Sequence, residues 1–273
     1  MSFQLTEVVD TINSKKNIYI AIIERAFKVG AEQAENIFLM ELENFKERSK
    51  TYYTDQKTKP TLTVLQGTNI FLEVLQQGLS FSQSSGLVYM SRLKGTGTAM
   101  GYEITVYGKI FLAQQSGAIS HITEPVIVRK DEVDFAIKTD ECGRLIAHHT
   151  ISLSDVGDFK YSDFKVGYCY IVYPDGTREL SFTDKNKMDK SFNLAQSKEM
   201  YNDIAFLQTK VLKRAISKIR KIGLPKQMEV MKSFVDDDVD LDLDFETTQK
   251  TTDEVEVVEQ VEAQPSDEFS FNF

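Results

Sequence analysis

Residues that ordinarily carry catalysis or bind metals are scarce in this chain of 273 residues. There are 2 cysteines, Cys142 and Cys169, and 3 histidines, His121, His148 and His149. The cysteines lack metal-ligand spacing, which excludes a disulfide framework and a cysteine zinc site. His148 and His149 are adjacent, so on a strand they point to opposite faces and cannot ligate one metal together. His121 has no companion in sequence. No H-E-x-x-H, G-x-S-x-G, Walker A or D-F-G pattern occurs. The acidic pair Asp131-Glu132 could hold Mg²⁺ in a nuclease, although adjacent carboxylates are common on surfaces. No charged, apolar and small-residue leader opens the chain, and no apolar run approaches the roughly 18 residues of a membrane span. These absences lead us to expect a non-catalytic, cofactor-free protein of a reducing, cytoplasmic compartment, with no membrane partner.

Charge is abundant and unevenly placed. The formal net charge is −9. From Asp236 to Phe273 there are 8 Asp, 6 Glu and one Lys, which leaves 31 Lys+Arg against 27 Asp+Glu in the rest. Between Lys185 and Lys226, 11 basic residues face 3 acidic ones. A basic stretch beside an acidic tail points to a polyanion partner, the plainer reading being a solvated face with a solubilising tail.

The chain divides into a helical N-terminal segment (1–60), a core (61–226) and an acidic tail (227–273). Period-3.6 apolar positions predict helices over Lys16–Val29 and Ala31–Lys50, with a helix end at Gly30. The polar stretch Ser49–Lys59 reads as a loop closing at Pro60. A third helix spans Thr61–Gln77 and stops at Gly78. Strand patterns follow at Gly86–Leu93 and Ala99–Ile104 around a Lys94–Gly97 turn. A short helix over Thr105–Gln115 precedes strands at Ile119–Val128, Val133–Ile137, Leu145–Ile151 and Lys165–Tyr173. Tyr173-Pro174-Asp175-Gly176-Thr177 is a turn in which Pro presets φ and Gly accepts a positive one, so Arg178–Thr183 returns as a hairpin. Helices at Asp184–Leu194 and Lys198–Ile222 close the core, stopped by Gly223-Leu224-Pro225. The fold class expected is α+β: an antiparallel, strand-rich sheet with hairpins, backed by helices. The tail has too few apolar residues to build a core and reads as disordered.

The Lys198–Ile222 stretch concentrates the charge. Ile204, Leu207, Val211, Leu212, Ala215, Ile219 and Ile222 recur at three- and four-residue steps and form one apolar face. Lys210, Lys213, Arg214, Lys218, Arg220 and Lys221 occupy much of the opposite arc. Such a helix fixes itself to a core with one side and offers cations with the other. Lys185, Lys187 and Lys190 open the preceding helix, where the dipole favours acids, so they cost stability unless a polyanion compensates them.

Several segments stand in one order along the chain. They are Gly78-Leu79 with Gly86 and Tyr89; Tyr107-Gly108-Lys109-Ile110-Phe111-Leu112-Ala113 with Ser116-Gly117-Ala118-Ile119; and Val126-Ile127-Val128 with Asp131-Glu132 and Phe135. A histidine at 148 or 149, then Gly167-Tyr168-Cys169-Tyr170 with Asp175-Gly176, then Met200 with Thr209-Lys210-Val211-Leu212-Lys213-Arg214 complete the set. Over residues 67–225 this pattern resembles the RecT family of phage and prophage single-strand annealing proteins. It departs from the family where Ser80-Phe81 replaces a proline step, where Gln114-Gln115 stand in place of basic residues, and where Thr209-Lys210 inverts a Lys-Thr order.

The resemblance implies a protein that anneals complementary single strands without ATP in homologous recombination, assembled into rings or filaments around a shared basic groove, with Mg²⁺ modulating DNA binding. It implies single-stranded DNA and annealed duplex as partners, and a 5′–3′ exonuclease that exposes 3′ single strands. Cations neutralise phosphates so that two polyanions approach, and contacts stay on the backbone. The candidate DNA-binding residues are Lys210, Lys213, Arg214, Lys218, Lys185, Lys187, Lys190, Arg178, Arg129, Lys109, Lys94 and Arg92. Tyr89, Tyr102 and Phe182 are candidates for stacking on bases, although aromatics in strands more often pack a core. The Phe-ended acidic tail resembles the tips of bacterial single-strand DNA-binding proteins, which suggests contact with the host single-strand DNA-binding system or competition with DNA for the basic groove. A metal-dependent nuclease and a DNA-coating protein that does not anneal are the alternatives.

Overall fold

A computed structural model describes residues 3–93, 98–150 and 159–219. The first half is helical, with α1 (Leu5–Ser14), α2 (Lys16–Phe27), α3 (Ala31–Asp55) and α4 (Val64–Gln76). Their apolar faces meet in an aromatic cluster. Phe71 contacts Tyr19, Phe38 and Phe45 edge-on and stacks on Phe81. The helices approach closely where α4 carries Gly67, since a Cβ there would lie 2.6 Å from the Val8 methyls of α1. Thr63 opens α4 with a capping box to Gln66, and the chain turns after it at Gly78, φ +70°. The break between α2 and α3 differs from expectation. Lys28 takes the left-handed conformation there, while Gly30 is the extended N-cap of α3. Nor is Ser49–Asp55 a loop: α3 runs through it, because buried Ser49 and half-buried Tyr52 and Tyr53 continue its inner face and Phe3 stacks on Tyr53 at 4.0 Å.

The second half is built on strands. β1 (Val88–Arg92) and β2 (Met100–Ile104) pair antiparallel from Val88↔Ile104 to Arg92↔Met100; their Lys94–Gly97 connection lies outside the described residues. Next comes α5 (Val106–Gln115), N-capped by Thr105. The main sheet centres on β7 (Phe164–Val172). One of its edges carries β3 (His121–Ile122) and then β4 (Val126–Arg129); the other carries β8 (Arg178–Asp184). The single strand expected over Ile119–Val128 is thus two, divided at Thr123–Pro125, where proline cannot donate to the ladder. A separate hairpin, β5 (Ala136–Thr139) and β6 (Leu145–His148), packs Ile137 and Ala147 against Val128, Val166, Tyr168 and Leu180 of the sheet.

The opposite face of β7, at Gly167, Cys169 and Ile171, is covered by α7 (Ile204–Lys218). α6 (Lys185–Leu194) follows β8 directly. The long helix expected from Lys198 is a 3-10 turn, Lys198–Asn202, followed by α7. Asp203 interrupts it as an extended N-cap that accepts from the Ala205 N–H at 2.9 Å. The expected continuation through Arg220 and Lys221 to Ile222, its stop at Pro225 and the tail 227–273 lie outside the described residues. α1–α4, β7 and α7 share one continuous core, so no gap in packing falls at residue 60. Among the described residues, no helix is long and apolar enough to cross a membrane. The architecture is α+β.

Candidate nucleic-acid interface

α7 sorts its residues by face. Leu207, Val211, Leu212, Ala215 and Ile216 are buried. Lys213 is exposed, and Lys210, Arg214 and Lys218 are half-buried. The last three stand four residues apart, one above another with a rise of about 6 Å between neighbours. α7 runs alongside β8, and there the row gains an aromatic partner. The Phe182 ring has Lys218 Nζ at 5.5 Å and Lys187 Nζ, from α6, also at 5.5 Å. Lys187 and Lys218, far apart in sequence, thus share one ring, and the Arg214 charge acts on Lys218.

This gathering has an electrostatic cost. Burial pushes the Lys218 pKa below the ordinary lysine value, and the Arg214 and Lys187 charges push it the same way. Glu179 acts against them, but its carboxylate also accepts the Tyr173 hydroxyl at 2.9 Å. Lys187 has Asp184 at 3.9 Å, a loose pair.

The three lysines at the start of α6 are not equivalent. Asp184 caps the helix by accepting from the Lys187 N–H at 2.8 Å. Lys185 pairs with Asp189 at 3.1 Å, lies 3.2 Å from the centre of the Tyr161 ring and donates to the Tyr161 carbonyl. The expectation that all three need a polyanion is therefore corrected for Lys185. The i,i+4 carboxylate of Asp189 compensates it within the chain. Tyr161 also donates its hydroxyl to Asp189 at 2.8 Å. Burial would raise the Asp189 pKa, but that hydrogen bond and the Lys185 charge prevail and hold it low. Lys190 is exposed.

Beside α6 lies an aromatic group that the sequence reading missed. Tyr161 and Phe192 stack with centroids 4.4 Å apart. Tyr201 meets both edge-on at 5.2 and 5.1 Å, and Phe206 meets Tyr201 at 5.0 Å. Lys210 joins this group to the α7 row: its Nζ donates to Ser191 Oγ at 3.2 Å and lies 5.2 Å from the Phe206 ring. The available signal was the interleaving of Lys160-Tyr161, Phe192 and Lys198…Tyr201, cations next to aromatics in and just before the most basic part of the chain.

The remaining candidates lie elsewhere. Arg92 donates to the Thr58 carbonyl at 2.7 Å and anchors the segment after α3. On the same hairpin, Tyr89 bonds Glu103 across the strands, and Tyr102 bonds Glu73 and Gln77 of the α4 region. Burial, then the Glu73 charge, raises the Tyr102 pKa, and the Tyr102 ring packs against the core, whereas Tyr89 is exposed. Lys109 is half-buried on α5. Arg129 places its guanidinium 5.9 Å from the Phe159 ring. Arg178 is exposed at the start of β8, the end away from Asp184. Lys94 lies outside the described residues.

Of the residues weighed for catalysis, His149, its side chain 2% exposed, bonds Glu132 through Nε2 at 2.6 Å and faces the Tyr168 hydroxyl through Nδ1 at 3.3 Å. The structure thus engages one member of the Asp131-Glu132 pair in a local contact. Among the described residues, no group of three or more His, Cys, Asp or Glu is placed to hold a metal ion. In comparisons with known proteins, no family model matches this chain and no curated protein does.

Proposed function

We propose that the chain binds single-stranded DNA along α7, the start of α6 and the outer edge of β8, and anneals complementary strands without nucleotide hydrolysis in homologous recombination. The observation that carries this reading is the convergence of Lys187 and Lys218 on the Phe182 ring, with the Arg214 charge acting on Lys218. Like charges held together at partial burial lower stability, and a polyanion laid across them converts that cost into binding. The row consists of cations on the faces of two helices rather than groups aimed at base edges. It therefore suits a backbone, and leaves sequence to be read by pairing. The order of motifs resembling the RecT family adds independent support.

In this reading no cofactor is required, and Mg²⁺ modulates binding by competing for phosphates. The partners are single-stranded DNA, the annealed duplex, further copies of the chain in a ring or filament, and a 5′–3′ exonuclease. The Phe-ended tail contacts the host single-strand DNA-binding system, and the protein works in the cytoplasm. The test is annealing of labelled complementary oligonucleotides with and without ATP and Mg²⁺, with a denaturing gel of the same strands run in parallel. Nucleotide-independent, salt-sensitive annealing of intact strands is expected. Mg²⁺-dependent strand cleavage abolished by Asp131→Ala would establish a nuclease instead, and binding without annealing a coating protein.

A further inference from the structure

The aromatic group beside α6 opens to the surface. Tyr161, Phe192, Lys185, Asp189, Lys160 and Lys198 are among the residues lining an open hollow of about 780 Å³ between the Tyr161–Asp163 turn, α6 and the Lys198–Asn202 turn. Its floor is assembled with care. The Tyr161 ring is held by the stack with Phe192, the Lys185 ammonium and the hydroxyl bond to Asp189. Asn202 fixes the backbone there by accepting from the Tyr161 N–H at 2.9 Å. Phe192 stays half-exposed above that floor, with Lys198 Nζ 5.2 Å from its ring centre. Exposed Lys160 and Lys198 add cations at the rim.

We infer that this hollow is a base-binding subsite: it takes one unstacked nucleobase of a single strand against Phe192, with the flanking phosphate held by Lys160 and Lys198. The inference rests on the proposed function, since it locates a base beside the strand that α7 and β8 hold by its phosphates. Three features select a nucleobase over other planar groups. Tyr161 and Phe192 form a two-ring stack that a further ring extends, and stacking is tolerant of base identity. Asp189, the carboxylate beside the two rings, is already engaged by Lys185 and Tyr161, and the other lining carboxylate, Glu199, is exposed and follows Lys198 directly in sequence. Lys210, reaching Ser191 of α6 from the α7 row, makes the hollow continuous with the cationic face.

The experiment compares two fluorescein-labelled strands of equal length, one of thymidines and one with a central abasic stretch, by anisotropy with the full chain at fixed salt. Wild type is expected to bind the intact strand at least five-fold more tightly. Phe192→Leu keeps apolar volume but removes the ring. It is expected to bring the intact strand down to abasic affinity while changing abasic affinity less than two-fold. Equal losses on both strands, or no loss on either, overturn the subsite while leaving phosphate binding standing. Failure of wild type to bind either strand overturns the proposed function and this inference together. Should Phe192→Leu fail to fold, photocrosslinking of wild type to a 5-iodouracil strand decides. Crosslinked peptides containing Tyr161 or Phe192 support the subsite, and crosslinks confined to other peptides refute it.

Discussion

Replacing Lys218 by Met separates a functional cation from a structural one. On single strands, each phosphate contact contributes about 0.7 to the slope of log affinity against log salt. If Lys218 makes one contact, Lys218→Met reduces the slope by about 0.7, so between 50 and 200 mM salt the variant loses about 2.6-fold less affinity than wild type. Lys187→Met, acting at the same ring, is expected to do the same. The double variant reduces the slope by about 1.4 if the two cations hold separate phosphates, and by about 0.7 if they share one.

Stability is expected to move differently. Lys218 gives up a cation–π contact at 5.5 Å, near the outer limit of such contacts and worth about 0.5 kcal/mol at most exposed sites. Against this, its folded-state pKa lies below the ordinary 10.5 through burial and then through Arg214 and Lys187. The folded state therefore binds that proton less tightly than the unfolded chain does. The resulting penalty is fully present below the folded-state pKa and disappears as pH rises from there to 10.5. The unbound Lys218→Met protein should thus melt no lower than wild type at pH 7, and any excess stability should shrink toward pH 10. Anisotropy titrations at four salt concentrations and thermal melts at several pH values supply the measurements. A slope unchanged in both single variants and the double, or a clear drop in Tm for Lys218→Met at pH 7, would refute the assignment.

Two further predictions concern the frame that positions the row. Glu41 is 1% exposed, accepts from Ser80 Oγ at 2.6 Å and from the Phe81 N–H at 2.7 Å, and has its pKa raised by burial against the pull of those bonds. Its ionised form thus opposes folding above the ordinary carboxylate range, and stability is lost as pH rises through the folded-state pKa. Glu41→Gln keeps an acceptor for Phe81 and donates to Ser80, so urea unfolding should show equal or greater stability at pH 7 and a smaller difference near pH 4.5. Glu41→Ala should cost about 1–3 kcal/mol by orphaning the Phe81 N–H. At Gly167 a Cβ would lie 2.4 Å from Val211 Cγ2. Gly167→Ala should therefore lose about 1–3 kcal/mol through overpacking, and pairing it with Val211→Ala should cost less than the two single changes together, as read in a double-mutant cycle.

Local chemistry was legible wherever neighbours in sequence decide the conformation. Tyr173–Thr177 is the hairpin turn expected, with Gly176 at φ +80° and Asp175 accepting from the Thr177 N–H at 2.8 Å. The apolar face of α7 follows the periodicity at Leu207, Val211, Leu212, Ala215 and Ile219, whereas Ile204 is exposed and Ile216, absent from that reading, is buried. Distant packing decided the rest. Ser49–Asp55 is polar by composition, yet stays helical because Ser49 is buried on the inner face of α3 and Tyr53 stacks on Phe3. The split of the first sheet edge reflects Thr123–Pro125: the Pro125 carbonyl accepts from Gln208 of α7 at 3.0 Å instead of continuing the strand. Within the candidate interface, the row along α7 could be read from one helix. The ring at Phe182 and the stack of Tyr161 on Phe192 could not, because each assembles from segments separated in the chain.

The geometry also orders the two parts of the interface. Lys185, Asp189 and Phe192 recur at four and three residues and so share one face of α6, whereas Lys187 reaches Phe182 on β8. A helix with its side chains is about 10–12 Å across, so a strand lying on β8 and α7 must cross α6 before a base reaches the hollow. Lys210 and Ser191 bridge that crossing, and Lys190 stands exposed on the same helix. The position of α7 is set by its close approach to β7, since Val211 sits where any side chain at residue 167 would go. A shift of α7 away from the sheet would carry Lys210 from Ser191 and Lys218 from Phe182 together. In the proposed function, Gly167 would thereby couple phosphate binding on one side of α6 to base binding on the other, without itself touching DNA.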